Sequence, residues 1–170
     1  MQPKRVLVGG AIAALAIALA AYFIFFRASD EQKIRQCVAR AMAAVTVTED
    51  DTNPIVSLGR IRGAFKETVD KNVRVRIPDL PQVQAGRDGL GEAVAQASVW
   101  FKSASVDVGS LEIKLDDAHK SAQVTTRATL RAIGRDGRPR NEERDVTLLV
   151  TTPEGTWRIA SITVWPPKDE

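Results

Sequence analysis

Apolar residues follow three patterns along the chain: one unbroken run, then helical spacing, then strand alternation. The run Val6–Phe26 contains no charged residue and spans about 30 Å as a helix, which matches the hydrocarbon core of a membrane. Aromatic residues gather at its carboxyl end, as they do at a membrane interface. The sequence therefore predicts a single membrane-spanning helix.

A cleaved signal peptide is the alternative, because Ala18-Leu19-Ala20 has the small-x-small form of a cleavage site. The apolar run continues to Phe26, which favours an uncleaved anchor. Lys4 and Arg5 favour a cytoplasmic amino terminus, although basic residues behind the span favour the opposite orientation. We predict a bacterial inner-membrane protein with a periplasmic domain, divided into a cytoplasmic tail (1–5), a transmembrane helix (6–26), a short linker (27–29), one domain (30–166) and a carboxyl-terminal tail (167–170).

Helical spacing of apolar residues predicts three helices in the first half of the domain. Asp30–Val47 carries apolar residues at intervals of three and four, which is one face of a helix. Asn53 followed by Pro54 is a typical helix start and predicts a second helix to about Lys71. A third helix is predicted from about Asp88 to Ser103.

Alternation of apolar and polar residues predicts strands elsewhere. Val73–Ile77 reads as a half-exposed strand, and the alternation returns from Val106 onward with a change of parity at Gly109-Ser110 that suggests a bulge. Gly134–Gly137 predicts a hairpin loop, and Trp157–Trp165 the last strand. This order predicts an α+β domain, with three helices packed on one face of a curved antiparallel sheet.

The charge distribution excludes a nucleic-acid-binding domain. The chain has 24 basic and 21 acidic residues. Three of the basic residues, Lys4, Arg5 and Arg27, flank the apolar run, so the domain itself is neutral. The arginines from Arg127 to Arg144 are interpreted as coating one exposed hairpin. Cys37, the only cysteine, is predicted to be buried, and an intermolecular disulfide is the alternative.

Two short segments and the order of elements resemble the nuclear-transport-factor-like superfamily, also called SnoaL-like or cystatin-like cone proteins. Gly86-Arg87-Asp88-Gly89-Leu90 resembles the opening of that family's third helix, and Glu154-Gly155-Thr156-Trp157-Arg158-Ile159 resembles its last turn and strand. The resemblance covers the whole domain and implies a cone-shaped pocket between helices and sheet. Some members are isomerases, dehydratases or cyclases, whereas others bind partners or belong to membrane complexes.

The residues needed for acid–base catalysis in that superfamily are sparse here. The only tyrosine, Tyr22, lies in the predicted anchor, and the only histidine, His119, lies in a polar turn beside Asp116 and Asp117. A single histidine cannot form a histidine-rich metal site, and no cofactor motif is present. Asp79, which follows the first strand, is the carboxylate to test first, with Asp88 and Asp107 as the other acidic candidates.

Two sets of residues are candidate binding surfaces. Large side chains on the predicted inner face either line a pocket or fill the core: Phe65, Trp100, Phe101 and Trp157. The exposed face of the sheet carries a predicted interaction surface: Arg127, Arg131, Thr147 and Thr151.

Three functions are compatible with these features. The first is a non-catalytic, membrane-anchored domain that self-associates or binds proteins of the cell envelope. The second is a binder of a small apolar ligand or lipid in the cone. The third is an enzyme on a hydrophobic substrate, which needs a buried carboxylate with a raised pKa.

Overall fold

We describe the fold from a computed structural model, which places residues 30–48, 53–78 and 86–166. The chain divides into two compact units, Met1–Lys33 and Ile34–Glu170, and the fold below is that of the second unit. The predicted anchor Val6–Phe26, the terminal tails and Asp79 lie outside the described residues. Within the described ranges, no helix is both long enough and apolar enough to cross a membrane.

Three helices precede most of the sheet: α1 over residues 30–45, α2 over Pro54–Thr68 and α3 over Gly86–Trp100. The predicted start of α2 is confirmed, because the Asn53 side chain accepts a hydrogen bond from the Ile55 amide at 3.0 Å and proline follows. Both α2 and α3 end earlier than predicted. In each case a strand begins at the next residue, Val69 or Phe101, so no turn residue marks the boundary.

The sheet has six strands. In chain order they are β1 (Val69–Arg76), β2 (Phe101–Val108), β3 (Glu112–Leu115), β4 (Ser121–Gly134), β5 (Pro139–Thr151) and β6 (Arg158–Trp165). Their spatial order is β1-β6-β5-β4-β2, and β3 also pairs with β4. The domain is therefore α+β, with three helices and one curved sheet.

The prediction of a wholly antiparallel sheet was wrong at one edge. β1 runs parallel to β6, with Arg74 beside Ser161 and Val75 beside Ile162. Alternation along β1 shows that it is half exposed, but the direction of its partner depends on a long-range pairing that the local pattern does not encode.

The predicted bulge at Gly109-Ser110 is visible in the pairing of β2 and β3 with β4. Val108 lies opposite Ala128 and Glu112 lies opposite Thr125, so four steps along one chain match three along the other. The Gly109 amide donates to the Arg127 carbonyl at 2.9 Å within this step. The extra residue shifts the alternation by one position, so that the odd-numbered Ile113 faces the core side, as the even-numbered Val108 does before the bulge.

Buried apolar side chains among the described residues form three clusters. The α1–sheet core contains Ile34, Cys37, Val38, Ala41, Ala122, Val124, Leu148, Val150, Trp157 and Ile159. The helical core contains Ala44, Ile61, Phe65, Val69, Val73 and Ala95. The Val47 cluster contains Val47, Ala104 and Ala132, with Phe101 packed against it. Even-numbered residues of β4 and β5 therefore face the helices.

The first half of β5 is a free edge of the sheet in the described part of the chain. β6 pairs with β5 only from Asp145 to Thr151, so Pro139–Arg144 has a strand partner on its β4 side alone. The segment is dense in charge and begins with proline, which are features that discourage further strand pairing.

Candidate functional site

The four large side chains predicted to line a pocket occupy different surroundings. Phe65 is 2% exposed in the helical core, and Trp157 is 5% exposed in the α1–sheet core. Trp100, at the end of α3, is 71% exposed. Phe101 packs against the Val47 cluster, with the Arg140 guanidinium carbon 5.8 Å from the centre of its ring. Only Phe101 of the four combines apolar packing with an adjacent exposed charge.

The four residues of the predicted interaction surface share one face of the sheet, opposite the α1–sheet core. Arg127 and Arg131 are odd-numbered positions of β4, and the register aligns that face with Thr147 and Thr151 of β5. Arg127 pairs with Asp145 at 3.4 Å, and Arg131 pairs with Asp107 at 3.3 Å. Three of these four side chains are exposed and Asp145 is partly exposed, so each pair contributes little to stability.

The helix-facing side of the sheet carries an apolar strip that the sequence did not single out. The strip consists of Val106, Val108, Ala128 and Leu130, with Val106 opposite Leu130 and Val108 opposite Ala128. All four point to the side of the core, yet none belongs to the three clusters of the described residues. Val106, Val108 and Leu130 remain partly exposed.

Charged residues of β5 border this strip. Glu142 lies opposite Leu130, Arg144 lies opposite Ala128 and Arg140 lies opposite Ala132, so all three face the helices. Glu142 and Arg144 form an ion pair with each other. The arginines therefore lie on one hairpin, as predicted, and they occupy both of its faces: Arg127 and Arg131 face one side of the sheet, and Arg140 and Arg144 face the other.

The two acidic candidates among the described residues, Asp88 and Asp107, and the histidine occupy structural positions. Asp88 is exposed in the first turn of α3, and Asp107 is exposed in its ion pair with Arg131. His119 lies in the turn after β3 at a positive φ of 53°. The carboxylate of Asp116 closes this turn, and hydrogen bonds from Ser121 and Lys120 hold its pKa below the usual range.

Cys37 is buried, as predicted, and its thiol has a structural role. It donates to the carbonyl of Trp157 at 3.2 Å and lies 3.4 Å from that of Thr68. Burial raises the pKa of the thiol to about 11, so it stays protonated at neutral pH. Elsewhere in the described ranges, no three histidine, cysteine or acidic side chains group closely enough to hold a metal ion.

Proteins of known structure share this fold. A nuclear transport factor 2-like superfamily protein from Salmonella enterica serovar Typhimurium has a TM-score of 0.64 at 13% identity, covering 85% of this chain and 96% of that one. An NTF2-like protein with a cystatin-like fold from Novosphingobium aromaticivorans has a TM-score of 0.63 at 11% identity, covering 89% and 90%. A type 2 hexachlorocyclohexane dehydrochlorinase has a TM-score of 0.63 at 9% identity, covering 81% and 85%.

No protein-family model matches the sequence, and no curated protein matches it. At the identities above, likeness to solved structures shows the fold alone. The fold is the one found in these nuclear-transport-factor-like and cystatin-like structures, as the order of elements implied.

Proposed function

We propose that this nuclear-transport-factor-like domain binds a small apolar molecule on the helix-facing side of its sheet, over Val106, Val108, Ala128 and Leu130. The observation that carries the proposal is this apolar strip, which points to the core side but belongs to none of the three described clusters. Ala128 is already buried, but Val106, Val108 and Leu130 are partly exposed, and covering the exposed part of each gains a share of the about 1.5–3 kcal/mol that burying a whole large apolar side chain is worth.

Two further points support this proposal. One protein with the same fold is a hexachlorocyclohexane dehydrochlorinase, so this fold is compatible with a small, largely apolar ligand. In addition, the strip is bordered on one side by Glu142 and Arg144, which offer polar groups beside an apolar floor. Ligand sites commonly combine a mainly apolar lining with a few polar groups.

The described residues favour binding over catalysis. Of the acidic candidates in the described residues, Asp88 and Asp107 are exposed, and His119 lies in the turn that leads into β4, nine residues before Ala128 of the strip. Cys37 is a protonated thiol inside the core. Glu142, the carboxylate that borders the strip, is exposed and paired with Arg144, whereas general-acid or general-base chemistry in an apolar site uses a carboxyl group buried among apolar side chains.

The proposal is tested by two matched substitutions on β4. Leu130 faces the strip and its neighbour Thr129 faces the opposite side, so Leu130→Asn and Thr129→Asn introduce the same amide on opposite faces. We expect Leu130→Asn to weaken binding of the uncharged probe cyclohexylbutanol about tenfold, since an amide under an apolar ligand loses its hydration at a cost of about 1–3 kcal/mol. Titration calorimetry of the full chain in nanodiscs, corrected for empty nanodiscs, gives the affinities.

Thr129→Asn is the control and is expected to bind the probe within about twofold of the parent chain. Circular dichroism of both variants checks that the fold is retained. Equal weakening by the two substitutions, or no binding of the probe by the parent chain, would contradict the proposed site.

A second candidate function is protein binding through the other face of the sheet, around Arg127, Arg131, Thr147 and Thr151. Two large apolar side chains on that face favour it, since Leu149 is 37% exposed and Trp165 is 43% exposed. We further propose that Val6–Phe26 holds the domain, residues 30–166, on the periplasmic side of a bacterial inner membrane.

A further inference from the structure

Arg140 occupies a distinctive position at one end of the apolar strip. It lies opposite Ala132, two residues along β4 from Leu130, which corresponds to about 7 Å of strand. Its guanidinium sits over the ring of Phe101, and that ring packs against the Val47 cluster. This contact directs the cation toward the helix-facing side of the sheet instead of away from it.

Arg140 is also the unbalanced charge on that stretch of β5. The neighbouring charges that face the same way, Glu142 and Arg144, are paired with each other. Within the described ranges, the Arg140 guanidinium contacts the Phe101 ring. This contact neither neutralises the charge of Arg140 nor uses its hydrogen-bond donors.

Open space adjoins this cation. Arg140 helps to line a groove of about 380 Å³, together with the small apolar residues Val47, Ala104 and Ala132. The other lining residues are Ser103, Ser105, Arg131, Ile133, Pro139 and Asn141. The residues Ala104 and Ala132 lie on the same strands as the strip, one pleat away from Val106 and Leu130. Arg140 and these two alanines are therefore the part of the groove lining that adjoins the strip, whereas the odd-numbered lining residues of β2, β4 and β5 lie on the opposite face of the same strands.

We infer that the ligand of this site is an apolar carboxylate, whose hydrocarbon body covers the strip and whose carboxylate binds Arg140. The inference rests on the proposed function and adds the chemical class of the ligand. A planar guanidinium with free donors matches a carboxylate in shape as well as charge. An uncharged ligand would leave the donors of Arg140 to water and would gain nothing from this residue.

The experiment compares two probes that differ only at the polar end, cyclohexylbutanoate and cyclohexylbutanol, by calorimetry of the full chain in nanodiscs at neutral pH. We expect the acid to bind about tenfold more tightly than the alcohol, as one charge-assisted hydrogen-bonded pair allows. In Arg140→Gln this preference is expected to fall to about one, whereas the affinity for the alcohol stays unchanged. An unchanged alcohol affinity also shows that the variant is folded.

Arg138→Gln is the matched control, because Arg138 is an exposed arginine of the same hairpin that lies near Asp136 instead of an apolar surface. It is expected to keep the preference for the acid. If the parent chain binds both probes equally, or if Arg140→Gln keeps the preference, the inference is overturned while the apolar site stands. If the parent chain binds neither probe, the proposed function fails as well.

Discussion

Replacing Trp157 by alanine is expected to lower the free energy of unfolding by about 3–5 kcal/mol. Trp157 is 5% exposed and packs in the α1–sheet core, where its removal leaves a cavity that neighbouring side chains cannot fill. Its carbonyl also accepts the hydrogen bond of the Cys37 thiol, so a shift of this segment disturbs α1 as well. Urea titration followed by far-ultraviolet circular dichroism measures the change.

Trp100→Ala provides the matched control for this substitution. Trp100 is 71% exposed at the end of α3, so its truncation is expected to change stability by no more than about 0.5 kcal/mol. Phe65→Ala, at a position that is 2% exposed, should resemble Trp157→Ala. Similar losses for Trp157 and Trp100 would contradict the assignment of Trp157 to the core, and a small loss for Phe65 would contradict its assignment to the helical core.

The second large effect concerns the predicted anchor. We expect the full chain to stay with the membrane after a carbonate wash, and a chain lacking residues 1–29 to appear in the soluble fraction. The physical reason is that the free energy gained by moving an uncharged run of apolar residues from water into hydrocarbon far exceeds that of binding a segment to the membrane surface. Immunoblotting of the two fractions measures the partition.

The same blot separates the anchor from the signal peptide. A cleaved signal sequence ending at Ala20 gives a shorter, soluble product, which would contradict the anchor. Protease added to intact spheroplasts then tests the orientation, since a periplasmic domain is digested and a cytoplasmic one is protected.

The helices and the strand alternation were predictable because both depend on local spacing. Two adjacent residues, Asn53 and Pro54, mark the start of α2, and the alternation of apolar and polar residues along β4 gives its two sides. The boundaries at Thr68 and Trp100 were not predictable, because helix passes directly into strand without a glycine or proline between them. The parallel pairing of β1 with β6 depends on chain topology, which no local pattern records.

The candidate site was predictable only in part, for a related reason. The alternation along β4 places Ala128 and Leu130 on the core side. How far the α1–sheet core extends along β4, however, depends on where α1 ends above the sheet. The local sequence does not distinguish Arg140 from Arg131, because both are arginines in strand segments of the same hairpin. Only the continuous register of the β4–β5 hairpin puts them on opposite faces, and that register depends on the geometry of the loop that joins the strands.

A methyl resonance titration of the full chain with cyclohexylbutanoate tests most directly whether a ligand binds the helix-facing side of the sheet. We predict that the methyl signals of Val106, Val108 and Leu130 shift together. The signals of Leu149, which is 37% exposed on the opposite face of the same sheet, should stay unchanged. Shifts confined to Leu149, or no shift at the three strip residues, would contradict a ligand site on the helix-facing side of the sheet.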